Sequence, residues 1–298
     1  SILRGRLVLE DMKIFLQRYT YRAMLLFMLI YLLTACSSTR LMYTFVDKFI
    51  ENEITYFLDL NEKEVALLNK EVSKMVAWHR KSMLPRYASY LNDIADKLED
   101  NRYDANYITK ILVGGRSLVE ETVIGLIPYA SKFLIRHQTI EAIEFMKKRM
   151  TTRQHERLTE LSKAEDIQYE DRLERLTSNF ERFFGELNDA QVVLLEGYVR
   201  YTLGDSKTRL HNRTLRQKAF INFLKIQPTE AELTTYLNNL LLRGHVITNP
   251  EYKDFSEAWL DRFKSLLVNM FQISSTEQRD TIISKLRAYA EDFKTVSE

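Results

Sequence analysis

The stretch Tyr-Glu-Asp-Arg-Leu-Glu-Arg-Leu-Thr-Ser-Asn-Phe-Glu-Arg-Phe-Phe-Gly-Glu-Leu, residues 169–187, carries the clearest periodic signal in the chain. Its apolar residues recur at spacings of three and four, which places them on one face of a helix. They are Tyr169, Leu173, Leu176, Phe180, Phe183 and Leu187. Charged residues such as Arg172 and Arg175 fall between them and predict a solvated or rim face. The stretch therefore predicts an amphipathic helix with Phe180 in the core.

Helix starts can be read at several places along the chain. A capping residue three positions before Glu or Gln is typical of a capping box, in which two side chains satisfy free backbone N–H groups. The pattern occurs at Asn61-x-x-Glu64, Asn188-x-x-Gln191, Thr229-x-x-Glu232 and Ser275-x-x-Gln278. Further apolar stripes over 65–76 and 255–267 indicate buried helix faces rather than cofactor pockets.

The composition also favours helices over sheets. Eight glycines and four prolines are too few for a sandwich or barrel with many turns, and strict apolar–polar alternation is absent. We expect an all-α, multi-helix bundle of about ten helices. They are predicted near 40–57, 62–99, 104–135, 138–163, 166–185, 189–203, 206–225, 230–243, 251–271 and 276–295.

A basic stretch followed by an apolar run lies near the amino terminus. The run Ala23–Leu33 follows Lys13, Arg18 and Arg22. Basic residues, an apolar core of about 7 to 15 residues and a small residue before the cut are typical of a secretory signal peptide. The run is shorter than the roughly 20 residues that a membrane-spanning helix needs. We therefore predict a signal peptide.

The residues after this run resemble the lipobox of bacterial lipoproteins, Leu33, Thr34, Ala35 and Cys36. The resemblance implies cleavage before Cys36, with diacylglycerol and palmitate on that cysteine as a membrane anchor. The alternative is an uncleaved anchor with an incidental cysteine. Ser37 stands where inner-membrane retention signals usually carry aspartate, so the resemblance implies the periplasmic face of the outer membrane.

These features divide the chain into three parts. They are a signal peptide (1–35, with Met12 as the expected start), a lipidated tether (36–39) and a single helical periplasmic domain (40–298). Cys36 is the only cysteine, so no intramolecular disulfide can form. Of the formal charge of +2, residues 1–35 supply +3, because five basic residues face two acidic ones, and the remainder carries −1. This balance gives no reason to expect nucleic acid as a partner.

Several segments resemble an uncharacterised family of proteobacterial envelope lipoproteins, known as a domain of unknown function. They are Leu58–Glu64, Trp78-His79-Arg80 with Leu84–Tyr87, Phe184–Gln191 and Thr276–Arg279. The resemblance covers essentially the whole mature chain and implies a helical envelope lipoprotein without an assigned activity. Leu187–Gln191 is also similar to the Leu-Thr-x-x-Gln helix openings of Spy-type periplasmic chaperones, with Asn188 in place of threonine. That weaker likeness is an analogy, because helix capping explains the same residues.

The sequence offers little enzymatic chemistry. The five histidines are scattered, with no His-x-x-x-His or Glu-x-x-His pair of helical metal ligands. Gly114-Gly115 lacks the lysine of a phosphate-binding loop, so we expect these glycines either to loosen the helix or to let a neighbouring element approach closely. We assign no catalytic residue, cofactor or metal site, although ligands brought together from distant positions stay open.

The most suggestive local cluster surrounds Pro85, where a proline inside a helical pattern predicts a kink. The cluster could line a binding surface for a partner, or it could pack against a neighbouring helix, which we favour. Its members are Trp78, His79, Arg80, Arg86 and Tyr87.

Two functions remain in play. The first is a non-catalytic interaction or chaperone-like protein of the cell envelope, with a periplasmic protein partner. The alternative is an enzyme or small-ligand binder with an unrecognised site in the helical core. An exposed apolar or basic groove would support the first, and a closed pocket with converging titratable side chains the second.

Overall fold

The computed structural model describes residues 38–298. The chain divides into two compact units, Ser1–Phe45 and Val46–Glu298. The described part of the first unit is one short helix, α1 (Ser38–Thr44). The second unit contains eleven helices. They are α2 (Val46–Phe57), α3 (Glu62–Ser82), α4 (Leu84–Glu99), α5 (Ala105–Leu134), α6 (Ile140–Glu160), α7 (Glu165–Phe184), α8 (Asp189–Thr202), α9 (Asp205–Leu224), α10 (Glu230–Thr248), α11 (Tyr252–Gln272) and α12 (Thr276–Ser297).

Residues 38–298 contain no strand, so the prediction of an all-α, multi-helix protein is confirmed. No helix in this part of the chain has both the length and the apolar composition needed to cross a bilayer. All four predicted capping boxes are present, at the starts of α3, α8, α10 and α12. The hydrogen bonding at these helix starts was therefore predictable from the sequence.

Two predicted helices are divided in the structure. The segment 40–57 is interrupted at Phe45, and 62–99 is interrupted at Met83, two residues before Pro85. Pro85 lies in the first turn of α4, where its missing N–H has no helical partner to lose. In α10 the predicted end at 243 coincides with a kink, because Arg243 has φ −133° and ψ 34° and the helix continues to Thr248.

The core of the second unit lies between α4, α5, α7, α8, α11 and α12. Phe180 and Phe184 on α7 are buried there, as the periodicity of 169–187 predicts. The rings of Phe184 and Phe271 lie 5.4 Å apart, centroid to centroid. The most extensive helix contact joins α4 and α12, and Arg287 on α12 adds ion pairs to Asp96 at 2.9 Å and Glu99 at 2.8 Å.

A buried amide pair joins the first turns of α8 and α12. Gln191 Nε2 donates to Gln278 Oε1 at 3.0 Å, and Gln278 Nε2 donates back to Gln191 Oε1 at 2.8 Å. Gln278 Nε2 also donates to the carbonyl of Glu186 at 2.7 Å. Both glutamines belong to capping boxes, so each amide serves its own helix and the other helix at once. We call Gln191 and Gln278 the amide joint.

Candidate functional site: an arginine-lined groove

An open groove of about 550 Å³ lies between the end of α6, the middle of α7 and the first half of α9. The turn from α6 to α7 is fixed by Gln168, whose Nε2 donates to the carbonyls of Leu161 at 3.2 Å and Lys163 at 2.7 Å. Five arginines line the groove. They are Arg157, Arg172, Arg175, Arg209 and Arg213. We call this surface the arginine groove.

Arg172 is the most firmly held of these arginines. Its Nη2 donates to Thr202 Oγ1 at 2.7 Å, and its Nη1 donates to the carbonyl of Thr202, at the last turn of α8. Helix ends leave carbonyls without helical partners, which a guanidinium can satisfy. Burial and the positive charge of Arg209 lower the pKa of Arg172, but a guanidinium stays protonated in proteins. The groove therefore has a fixed positive charge at its floor.

The other arginines leave their charges available to the groove. Within residues 38–298 none of the five forms an ion pair. Arg209 lies over the ring of Trp259, with its Cζ 5.4 Å from the ring centroid, and this contact orients its side chain. Unpaired guanidinium groups present several donors each and match carboxylates or phosphates in two-pronged contacts.

The acidic residues of the groove do not cancel this charge. Glu160 and Asp171 also line it. Glu160 pairs at 2.7 Å with Lys163, and the hydrogen bond from Lys163 lowers the pKa of that carboxyl. The groove thus combines five arginines with two carboxylates, one of which already has a lysine partner. It is suited to bind an anion.

The predicted cluster around Pro85 lies elsewhere, where α3 and α4 meet α5. Trp78 packs directly over Gly125. A Cβ on that glycine would lie 1.9 Å from Trp78 Cη2, so a larger residue would displace the indole ring. The hydroxyl of Tyr87 is hydrogen-bonded to Thr122 and lies 3.3 Å from His79 Nε2. These contacts bring most of the cluster together against one helix.

The charged members of this cluster lie nearer the surface. Arg86 is paired with Glu121 on α5, and its side chain stays 52% exposed. Arg80 is also exposed. The pKa of His79 is lowered by burial. Packing accounts for Trp78, and a role of the exposed arginines in binding stays a prediction.

Of the two expectations for Gly114 and Gly115, the structure supports the close approach of a neighbour. A Cβ on either would lie 3.0 Å from the ring or hydroxyl of Tyr90, whose hydroxyl donates to the carbonyl of Ile111. The lipidation site Cys36 and the lipobox residues 33–35 lie outside the described residues. In residues 38–298 no group of three or more His, Cys, Asp or Glu side chains is placed to hold a metal ion.

The arginine groove was not predicted from the sequence. Arg172 and Arg175 stood out only as a rim of the 169–187 helix. A second signal for the groove is present in the sequence of α9, where Arg209, Arg213 and Arg216 recur at spacings of four and three. Neither stripe shows that α6, α7 and α9 meet, because that depends on tertiary packing.

Comparison with known protein families matches residues 56–253 to DUF6279, described as a family of unknown function. The match spans about two thirds of the chain, and the chain belongs to this family. The matched segment includes the arginine groove and the cluster around Pro85. No curated protein and no solved structure matches the chain.

Proposed function

We propose that this protein is a lipid-anchored, non-catalytic binding protein of the bacterial envelope, whose arginine groove receives an acidic segment of a periplasmic protein. The observation that carries the proposal is the set of five arginines around an open groove, without an ion pair among the described residues. An exposed basic groove is the feature that favours an interaction protein over an enzyme.

An extended acidic peptide fits the groove better than a single small anion. The arginines come from three helices, and the groove is open to solvent. Several carboxylates along one chain can reach several guanidinium groups at once, and each exposed pair contributes up to about 1 kcal/mol. Affinity therefore comes from the number of pairs and falls as salt screens them.

The envelope location rests on the amino-terminal sequence. Basic residues, the apolar run Ala23–Leu33 and the lipobox ending in Cys36 support a signal peptide and an acyl anchor. The likeness to proteobacterial envelope lipoproteins supports the same location, and the Spy-type likeness would add a chaperone-like activity. A Cys36→Ser precursor should lose metabolic acyl labelling and stay unprocessed, and the native product should fractionate with the outer membrane. Unchanged labelling would rule out the anchor.

Binding of poly-L-glutamate to the full chain tests the groove. Replacing Arg157 and Arg175 together by Gln removes two exposed charges, which should weaken binding by about 2- to 30-fold, given roughly 0.2–1 kcal/mol per exposed pair. Fluorescence anisotropy of labelled poly-L-glutamate measures this directly. Arg182→Gln, an exposed arginine on α7 outside the groove, is the matched control and should leave the affinity unchanged.

Three results would contradict the proposal. The first is equal binding of poly-L-glutamate by the double variant and the native chain. The second is equal weakening by Arg182→Gln, which would indicate diffuse attraction to the whole surface. The third is binding to phosphatidylglycerol vesicles through Arg157 and Arg175 without binding to poly-L-glutamate, which would make the groove a lipid-surface site.

A further inference from the structure

A second cavity, of about 480 Å³, lies next to the arginine groove, between α9, α10 and the first residue of α11. Its wall is apolar where α9 and α10 face each other. The apolar lining residues are Phe220, Leu237, Leu240, Leu241 and Tyr252. Leu237 and Leu240 are buried, whereas Leu241 is 48% exposed. The volume is in the usual range for small-molecule sites, about 300–1,000 Å³.

Two buried polar atoms, on residues that line this cavity, lack the partners that burial normally demands. Asn212 is 4% exposed, and its Oδ1 has no hydrogen-bond partner in residues 38–298. Arg216 Nε is likewise buried and without a partner in that part of the chain. Both residues line the cavity. Buried polar atoms in native proteins are nearly always paired, so each exception calls for an explanation.

The backbone of α10 leaves room for Arg216. A Cβ on Gly244 would lie 2.5 Å from Arg216 Nε and 2.7 Å from Cζ, closer than any real side chain could stay. Gly244 follows directly on Arg243, where α10 is kinked. The kink and the glycine together let the guanidinium lie against the helix beside the cavity. Any larger residue at 244 would displace it.

The charged residues that line the cavity are all positive. Arg209, Arg213 and Arg216 line it together with Asn212, and no acidic residue does. An occupant that satisfies these groups needs an anionic acceptor for Arg216 Nε, a hydroxyl or amine donor for Asn212 Oδ1 and an apolar body for the wall. These are three separate requirements, and one amphipathic molecule meets all of them.

The geometry points to a binding site for a single-chain amphiphile, one acyl chain with an anionic head that carries a hydroxyl group. The chain lies along Leu237, Leu240 and Phe220, and the head lies between Asn212 and Arg216. A hydroxylated fatty acid and a lysophospholipid share this chemistry. The site goes beyond the proposed binding of an acidic protein segment and does not depend on it, although Arg209 and Arg213 line both concavities.

Photo-crosslinking on the full chain in a neutral detergent tests the site. The probes are three diazirine-bearing acyl compounds with the same chain: a 3-hydroxy fatty acid, a lysophosphatidylglycerol and a neutral fatty alcohol. Mass spectrometry then locates the labelled peptides. We expect the two anionic probes to label peptides of α9 and α10 around Phe220 and Leu237–Leu241, and the alcohol to do so at least ~10-fold less, because a charged hydrogen bond is lost. The stronger of the two anionic probes identifies the head as carboxylate or phosphate.

Two variants separate this site from the arginine groove. Arg216→Gln should lower labelling at α9 and α10 by about 10-fold, whereas Arg175→Gln, which lines only the groove, should leave it unchanged. Competition by unlabelled 3-hydroxylaurate on the native chain gives an independent readout should Arg216→Gln fold poorly. Labelling spread over the surface, equal labelling by the alcohol, or no competition would overturn the site without touching the groove proposal.

Discussion

The amide joint and the face of α9 treat buried polar groups in opposite ways. At the joint every amide oxygen and nitrogen of Gln191 and Gln278 that lies between the two helices has a partner at 3.1 Å or less. On α9, Asn212 Oδ1 and Arg216 Nε are equally enclosed and have no partner within residues 38–298. Both regions lie in the same compact unit.

The difference supports the separate roles that we propose for the two regions. A fully paired polar network stabilises and specifies a packing arrangement, whereas an incomplete one is costly unless something else completes it. The joint therefore reads as structure, because it closes two helix starts against each other. At the α9 face, the amphiphile that we propose would supply the missing partners.

The largest expected effect is at the joint. Gln278→Met keeps the side-chain volume but removes the hydrogen bonds to Gln191, Glu186 and the amide of Ser275. Leaving buried partners unpaired and losing a cap should lower the free energy of unfolding by about 2–4 kcal/mol. Urea unfolding followed by circular dichroism measures the loss. The exposed Gln272→Met is the control, and a loss at Gln278 no larger than its own would show that the joint is not structural.

A smaller change in the free energy of unfolding is expected when the pH is lowered. His137 is 5% exposed, and its pKa is lowered by burial, with Glu64 opposing this. Below about pH 6.5 the unfolded chain binds a proton that the folded chain does not, so the free energy of unfolding falls as the pH drops from about 6.5. His137→Gln should reduce this fall between pH 7 and 5 and leave the part due to His79, whose pKa is also lowered by burial. The exposed His155→Gln should leave the fall unchanged. Arginines do not titrate in this range, so the groove keeps its charge. Binding of poly-L-glutamate should weaken between pH 7 and 5 only as far as the carboxyls of the polymer begin to protonate, if the fold is intact.

Unfolding at pH 7 and pH 5 in both variants, measured beside anisotropy at the same two values, checks this expectation. An equal loss of stability in native chain and His137→Gln would show that other groups carry the pH dependence. Carboxyls with lowered pKa values, such as those of Glu71 and Glu232, lose their stabilising effect only at lower pH, near and below about 4.5.

The smallest effect is expected at the surface pair beside Pro85. Arg86 and Glu121 are both partly exposed, and such pairs contribute up to about 1 kcal/mol. Arg86→Glu should therefore lower the free energy of unfolding by no more than about 1 kcal/mol, and adding Glu121→Arg should restore it. Thermal and urea unfolding of the single and double variants check this. A loss of several kcal/mol would make Arg86 part of a structural bracket and remove it from any binding surface.

The fold was largely predictable because its signals are local. Capping boxes at Asn61, Asn188, Thr229 and Ser275 need only residues three positions apart, and the stripe through Phe180 needs only a helical period. Pro85 predicts the interruption of the helix, because its ring restricts the backbone and removes an N–H donor. The pairing of Gln191 with Gln278 was not predictable, because it joins residues 87 positions apart through tertiary packing.

The candidate site was predicted less well for the same reason. Arg172 and Arg209 come from different helices, and their sequence context is that of ordinary solvated faces. Sequence reasoning instead singled out Trp78, whose close packing on Gly125 explains its presence in the cluster. Distinctive residues marked packing, while common arginines, brought together by the fold, form the groove.

One measurement tests most directly whether α9 carries a binding face. Asn212→Leu replaces a buried amide with an apolar group of similar size and removes the unpaired oxygen. If the pairing is completed by a ligand, the ligand-free variant should be as stable as the native chain or more stable by about 1 kcal/mol, while losing the crosslink to the acyl probe. Loss of about 2 kcal/mol or more of unfolding free energy, as expected for Gln278→Met, would show instead that Asn212 is a structural group like those of the joint.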